Sequence, residues 1–265
     1  MKQEKHPSGK TIIFQEYPHS YFIKGKLSGE AFRSVTQVCK EYVNKFDADT
    51  ISKNYAKKHN KNRKHVLAEW ADKGKVATAL GNSCHAYAES LVTGIPIELN
   101  DEYKGYYKQI KQRFKTNFMN CDELKAEYIV GLLDANIAGT LDLLKKDGNK
   151  ITIVDWKTNK EIKSTNIFKK MLPPFQLLDD CNLNTYRLQL NIYRYILKKE
   201  NYFPYCNYEM WIYHVKDWGI INIPVLEIED ALIEQILFKD IKSEKMERVE
   251  ASVRNRYPEL FKEGK

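Results

Sequence analysis

The chain has 265 residues, of which 43% are hydrophobic, so its length and composition predict one sizeable folded core and exclude a disordered chain. Its 43 Lys and Arg residues exceed its 35 Asp and Glu residues, and the formal net charge of +8 favours a polyanionic partner such as nucleic acid. No apolar run approaches the roughly 20 residues of a membrane span and the N-terminus is polar, so we expect a soluble, cytoplasmic protein without a membrane partner.

The N-terminal part predicts a small β-sheet followed by helices. Residues 11–36 alternate short β-prone runs with turns, which indicates a hairpin or small sheet. From Ser34 to about Leu91 the apolar residues have helical spacing. A basic run within that stretch has six cations and no acid: Lys53, Lys57, Lys58, Lys61, Arg63 and Lys64. The run is either a solvated helix face or a surface that contacts phosphates, and we carry DNA binding forward as a hypothesis.

Three predicted strands lie in the middle of the chain. A helix over 101–118 leads into strands at 124–133, 136–144 and 151–158. The last two strands are joined by an Asp-Gly turn, which is a strong hairpin signal. This order of elements predicts a sheet in which neighbouring strands along the chain also pair in space.

The remaining residues predict a long loop, two helices and a second hairpin. Residues 159–183 look irregular, and a loop this long in a compact domain is usually functional. The later elements are a helix, two strands and a charged helix, over 185–200, 207–215, 219–225 and about 229–250. We divide the chain into an N-terminal hairpin with a helical elaboration, residues 1–75, and a core, residues 76–265, which together form one compact unit.

The third of the middle strands carries the sharpest chemical signal. Alternation along a strand places four of its side chains on one face: Ile151, Ile153, Asp155 and Lys157. An acid and an amine at the end of an apolar row are costly to bury unless they are paired or bind a cation. Asp142 lies on the preceding strand, close enough for a hairpin to bring the two carboxylates together. A surface Asp–Lys pair is the alternative, because a D-x-K triplet is short and common.

Two carboxylates and a lysine are the set that metal-dependent phosphodiester hydrolysis needs. Carboxylate oxygens suit Mg²⁺, and Mn²⁺ is able to substitute for it. Such a cation polarises the phosphate and lowers the pKa of a water, while a lysine orients that water or offsets charge. Asp142 follows Gly139 in a Gly-x-x-Asp pattern, and Asp134 follows Gly131 in the same pattern. Asp134 is therefore an alternative to Asp142, but the turn predicted after Asp134 makes us prefer Asp142.

Four further residues draw attention by their positions. His85 lies on the apolar-sided helix that begins near Gly81, and Glu127 lies on the first of the three strands. Gln189 and Tyr193 are one helical turn apart. Taken singly, each has a structural explanation: a core histidine, an exposed strand glutamate and a polar core network.

Together these residues resemble a known family. The sequence holds five short motifs in the order seen in RecB-like nucleases of the PD-(D/E)xK class: Gly81-x-x-x-His85, Glu127, Gly139-x-x-Asp142, Asp155-x-Lys157-Thr158 and Gln189-x-x-x-Tyr193. The resemblance covers about residues 75–200 and is closest to phage-type exonucleases and the mitochondrial genome maintenance exonuclease. It implies an α/β fold of the restriction-endonuclease-like type, with a central mixed β-sheet flanked by helices and an N-terminal helical arch over the active site.

The resemblance also implies a metal site. Asp142, Asp155 and the backbone carbonyl of Trp156 would bind Mg²⁺. His85 would complete the site or bind a second metal, and Glu127 would lie at its rim. Some relatives hold an iron–sulfur cluster on four cysteines, but this chain has too few cysteines after residue 193, so we expect no iron–sulfur cluster.

The implied activity is cleavage of DNA. Lys157 would be the catalytic lysine, and Gln189 and Tyr193 would hold the DNA strand or surround that lysine. The expected protein is an exonuclease on single-stranded DNA or DNA ends, in recombination, repair or replication, with recombination or replication proteins as partners. Two alternatives are a structure-specific endonuclease on the same core and a catalytically inactive DNA-binding protein.

Overall fold

An antiparallel sheet of three strands begins the fold in the computed structural model, which describes residues 1–25 and 31–239. Its strands are β1 (Lys2–Lys5), β2 (Thr11–Gln15) and β3 (Ser20–Ile23). Buried Ile12 of β2 anchors this sheet on Ile129 and Ala138 of the main sheet. The predicted hairpin is confirmed, and β1 extends it. The sequence did not indicate β1, because that strand has no apolar alternation.

The main sheet has six strands and mixed direction. The middle strands pair antiparallel, as do the last two, whereas two further pairs are parallel. The observed strands are β4 (Arg33–Ser34), β5 (Glu123–Leu132), β6 (Ile137–Asp147), β7 (Lys150–Lys157), β8 (Asn207–Val215) and β9 (Ile220–Pro224). The order is β4-β6-β7-β8-β9, and β5 also pairs with β6. The predicted central mixed sheet is therefore confirmed.

Helices cover both faces of this sheet. They are α1 (Val35–Lys40), α2 (Ala48–Lys58), α3 (Arg63–Thr93), α4 (Lys104–Asn117), α5 (Asn182–Lys199) and α6 (Asp230–Leu237). The face with Ile151 and Ile153 packs against α1, α5 and α6, while the face with Val154 and Trp156 packs against α3 and α4. Because side chains alternate along β7, its apolar residues pack against the helices on both faces of the sheet. Its last residues, which include Asp155 and Lys157, lie between these two helical layers.

The N-terminal helices are set by local capping signals. Ser34 begins α1 with a capping box to Gln37, and Asn62 accepts the Lys64 N–H at the start of α3. Gly94 ends α3 in the left-handed conformation, with φ 72°. Residues 71–79 of α3 are exposed on every side, so the middle of this long helix stands away from the core.

Most other predicted elements lie where the sequence placed them. The strand predicted at 136–144 continues to Asp147, and residues 159–181 form the predicted irregular loop. The boundary drawn between 75 and 76 falls inside α3, and the division into two parts stays a prediction. Of the charged helix predicted over about 229–250, the structure shows α6, which ends at Leu237, and residues 240–250 lie outside the described residues. No helix of the described part has the length and hydrophobicity needed to cross a bilayer.

Candidate active site

The site lies where β6 and β7 separate. The pairing of these strands ends at Leu143 and Val154, and the next position along both strands sets Asp142 beside Asp155. There the Trp156 N–H donates to Oδ2 of Asp142 at 2.8 Å, in place of a strand carbonyl. A hydrogen bond to a side chain thus replaces the backbone hydrogen bonds between the two strands. Beyond this point the strands diverge around a space lined by two carboxylates.

A third acid extends this line across β5. The register that pairs Ala126 with Leu143 and Tyr128 with Leu141 sets Glu127 opposite Asp142. Glu127 itself has a φ of 48°, a left-handed conformation that is rare in mid-strand for a residue other than glycine. We call Glu127, Asp142 and Asp155 the acid row. Like charges directly opposite each other destabilise a sheet, so the acid row calls for a cation.

His85 reaches the acid row from α3. Its Nδ1 lies 3.5 Å from Asp142 Oδ2 and 3.8 Å from Glu127 Oε1. Its Nε2 donates to the carbonyl oxygen of Trp156 at 3.0 Å, which leaves Nδ1 facing the carboxylates. Burial lowers the pKa of His85, but the charge of Asp142 and the hydrogen bond with Glu127 outweigh burial and raise the pKa to about 9.

Three side chains at this point fit a metal ion. One ligand atom each from His85, Glu127 and Asp142 lies within 4.8 Å of the others. Two carboxylates and an imidazole are donors for a divalent cation, and a carboxylate-rich set favours Mg²⁺ or Mn²⁺. A carbonyl that orients a histidine is a familiar support for a metal ligand, so the Trp156 carbonyl already has a role here as hydrogen-bond acceptor.

Asp155 and Lys157 form a buried ion pair beside this group. The Lys157 Nζ lies 2.7 Å from Oδ1 and 2.6 Å from Oδ2 of Asp155, whose residue surface is 3% exposed. Burial raises the pKa of Asp155 to about 6, although Lys157 pulls it down. Burial lowers the pKa of Lys157, but the charges of Asp155 and Asp142 outweigh burial and raise it, so Lys157 is cationic.

Tyr186 of α5 also contacts Lys157, and the sequence analysis missed it. The Lys157 Nζ lies 4.7 Å from the centroid of the Tyr186 ring, and the Tyr186 hydroxyl donates to Asn159 at 2.9 Å. A signal was available, because Tyr186, Gln189 and Tyr193 share one face of a helix at spacings of three and four.

Tyr193 supports the sheet beneath the site. It is 3% exposed, it hydrogen-bonds with Gln189, and burial raises its pKa well above the ordinary value. Its ring lies so close to Gly139 that a Cβ there would be 2.8 Å from Cε1 of the tyrosine. Only a glycine admits α5 this near to β6. The DNA contacts predicted for Gln189 and Tyr193 stay predictions.

The basic run lies on α2 and the start of α3, away from the acid row. Three of its cations are engaged: Lys53 with Asp49, Lys61 with Glu69, and Arg63 with Asp49. The other three have no ion-pair partner within residues 1–25 and 31–239: Lys57, Lys58 and Lys64. DNA binding by the run stays a prediction.

Comparison with known proteins places this architecture in a family. A sequence profile of the PD-(D/E)XK nuclease superfamily matches residues 43–263. The chain belongs to the PD-(D/E)XK nuclease superfamily. A search of curated proteins finds no match. The crystal structure of SSO0001 is similar, with a TM-score of 0.35 and 15% identity over 82% of this chain and 78% of that chain.

Membership of the PD-(D/E)XK superfamily gives the site its chemical context. It indicates a nuclease, a hydrolase that uses divalent metal ions, with DNA as the substrate that the family implies. The mixed sheet flanked by helices is the restriction-endonuclease-like fold of this superfamily. The rival acid Asp134 is exposed in the 3-10 turn Leu133–Ala135, whereas Asp142 lies in the acid row. The RecB-like and phage-type resemblance stays a prediction.

Proposed function

We propose that this PD-(D/E)XK protein is a Mg²⁺-dependent deoxyribonuclease, an exonuclease that acts on single-stranded DNA or DNA ends in recombination, repair or replication. The supporting observation is the acid row, with His85 beside Glu127 and Asp142 and with Lys157 paired to Asp155. A cation-binding group next to a buried, charged lysine is what phosphodiester hydrolysis requires.

The cation would be held by Asp142 with His85 and Glu127 beside it. Asp155 and the carbonyl of Trp156 stay predicted ligands of the same cation. When bound, it polarises the scissile phosphate and makes a water more acidic. The Trp156 N–H keeps the Asp142 carboxylate in place, and the Trp156 carbonyl keeps His85 in place. These backbone contacts hold the proposed ligands before any cation arrives.

Lys157 would act on the phosphate. Its raised pKa keeps it cationic, so it offsets the negative charge that develops as the phosphate is attacked. Asp155 and the Tyr186 ring hold the ammonium from two sides. We therefore assign Tyr186 a positioning role toward Lys157.

A cleavage assay tests the activity. Linear single strands labelled at either end, a blunt duplex and a circular single strand are incubated with Mg²⁺, with Mn²⁺ and with EDTA. We expect Mg²⁺ or Mn²⁺ to support degradation of linear strands, the circle to survive, and EDTA to stop the reaction. Asp134→Asn is the matched control, because Asp134 is exposed outside the site.

Other outcomes of the cleavage assay would favour one of the two alternative functions. Cleavage of the circle would replace the exonuclease with an endonuclease. Binding of DNA without cleavage under any metal would favour an inactive DNA-binding protein. Location in the cytoplasm and a partnership with recombination or replication proteins belong to the same proposal and depend on the activity.

A further inference from the structure

Four aromatic rings form a group at the surface near the N-terminal end of α3, opposite the end that carries His85. The rings of Phe46 and Trp70 are 6.1 Å apart between centroids, those of Tyr55 and Trp70 are 5.8 Å apart, and those of Tyr55 and His59 are 4.2 Å apart. Phe46 is 68% exposed and Tyr55 is 36% exposed. We call these four residues the ring cluster. Large exposed apolar side chains that gather in one place mark an interaction surface.

The charge around the ring cluster is positive. Three of the four nearby acids contact cations: Asp49 contacts Lys53 and Arg63, Glu69 contacts Lys61, and Asp72 contacts Lys75. The fourth, Asp47, caps the start of α2. The basic run adds three cations without an ion-pair partner in the described part of the chain: Lys57, Lys58 and Lys64. A partner of this surface therefore carries negative charge along with flat apolar faces.

The two helices that carry the ring cluster are fastened together. Arg63, at the start of α3, donates to Ser52 of α2 at 3.0 Å and also contacts Asp49 of α2. Ser52 is fully buried at this junction. The rings are therefore held in place before a partner binds, which lowers the entropy lost on binding.

One uninterrupted helix connects the ring cluster to the acid row. Trp70 and His85 both belong to α3, and fifteen residues at a rise of about 1.5 Å separate them by about 22 Å along its axis. At about 100° per residue, the two side chains point within about 60° of each other. The ring cluster and the proposed metal site therefore face the same side of α3.

The face of α3 between these two points carries mostly small side chains. The residues that share the direction of His85 between it and Trp70 are Ala71, Gly74, Thr78 and Gly81. Residues 71–79 are exposed, and a Cβ built at Gly74 would meet no atom within 4 Å. An open, shallow track thus leads from the rings to Gly81, where a Cβ would lie 3.5 Å from Oγ1 of Thr158, the residue after Lys157.

We propose that the ring cluster stacks on bases of a single strand of DNA that follows this track to the acid row. The proposal rests on the proposed nuclease function and names a second contact for its substrate. Only unpaired bases offer free faces to the rings, whereas the bases of a duplex are stacked on one another. At about 3.4 Å per stacked nucleotide, 22 Å corresponds to about six nucleotides between the scissile phosphate and the rings.

The test compares binding of strands that reach the ring cluster with binding of strands that do not. Full-length protein with Asp155→Asn, which should not cut DNA, is titrated in Mg²⁺ with fluorescent oligothymidylates of about 15 and about four nucleotides and with a duplex of about 15 base pairs. The variant is Phe46→Ala with Tyr55→Ala. The control is Trp218→Ala with Tyr205→Ala, which removes two exposed rings elsewhere. Melting curves confirm that both proteins fold.

We expect the ring-cluster variant to bind the long strand about ten-fold more weakly than the parent, with the short strand, the duplex and the control unchanged. Its salt dependence should keep the parent's slope, because stacking releases no counterions. If the variant does not fold, Tyr55→Leu alone gives the same comparison. Unchanged affinity for the long strand, or an equal loss for the duplex, would overturn the proposal.

Cleavage separates this proposal from the nuclease assignment. On the long strand we expect the ring-cluster variant to raise KM while kcat stays within about two-fold, since the rings lie about 22 Å from the scissile phosphate. A parent protein that binds the long strand through the ring cluster but cuts no DNA would remove the nuclease proposal alone. A kcat that falls with unchanged KM would overturn the role of the rings in binding.

Discussion

The acid row and the ring cluster handle charge and exposure in opposite ways. In the acid row, three carboxylates including that of buried Asp155 lie side by side, and each contact depends on one or two atoms. Around the ring cluster, the ion pairs and rings are exposed, and such pairs contribute about 0–1 kcal/mol each. Removing one partner of a buried ion pair lowers the free energy of unfolding several times more. Single substitutions should therefore be decisive in one region and graded in the other.

The largest effect is expected from Asp155→Asn. The change is nearly isosteric, but it removes the charge that holds Lys157, so cleavage should fall by about 10²–10³-fold or more. Binding of single-stranded DNA should stay close to that of the parent, because the ring cluster is untouched. The measurements are initial cleavage rates and anisotropy titrations, with Asp134→Asn as control. Parental cleavage by Asp155→Asn would remove the acid row from the chemistry.

Lys157→Met should also lower cleavage by about 10²-fold, for a different reason. It removes the cation proposed to act on the phosphate but keeps the carboxylates. Calorimetric titration with Mn²⁺ should show retained or tighter metal binding, since a competing positive charge has gone, while Asp142→Asn should bind the metal more weakly. Equal loss of metal binding in both variants would mean that Lys157 supports the metal site instead.

Alanine substitutions at two glycines compare how tightly the two regions are packed. A Cβ at Gly139 would lie 2.8 Å from Tyr193, so Gly139→Ala should lower the free energy of unfolding by about 1–3 kcal/mol. Gly74, on the open track, has nothing within 4 Å, so Gly74→Ala should raise it by about 0.5–1 kcal/mol. Urea unfolding measures both. A neutral Gly139→Ala would show that α5 moves away freely.

The last expected effect is a pH dependence of the stability of the metal-free protein. The pKa of His85 is raised from 6.5 to about 9, so the folded chain holds a proton there that the unfolded chain releases earlier. The resulting stability is complete below pH 6.5 and disappears as pH rises through 9. In EDTA, the free energy of unfolding should fall by about 3 kcal/mol across that window. His85→Asn should lack this component. Parallel curves for parent and variant would contradict it.

Much of this architecture could be predicted from the sequence, because local pattern and local structure agree. The alternation in β7 and the Asp-Gly turn set Asp142 beside Asp155, and helical spacing put Gln189 below Tyr193. Such features need only the periodicity of one element or one tight turn.

Other parts depend on contacts between distant segments, which no local pattern reports. Lys2 contacts Glu89 at 2.6 Å and lies 3.9 Å from Glu127, although its strand is polar throughout. The parallel pairing of β4 with β6 brings residues about one hundred positions apart together. The exposed rings gather only because α2 folds back on α3. Register across long loops decides each of these contacts.

The backbone of Glu127 has a consequence for the stability of the protein. Its φ of 48° suits glycine or asparagine, whereas its place in the acid row requires a carboxylate. Glycine and asparagine lack a carboxylate, so this position holds a glutamate in a costly backbone conformation. Replacing Glu127 by glycine should therefore yield a more stable protein that binds metal more weakly, the usual exchange between stability and activity at a functional position.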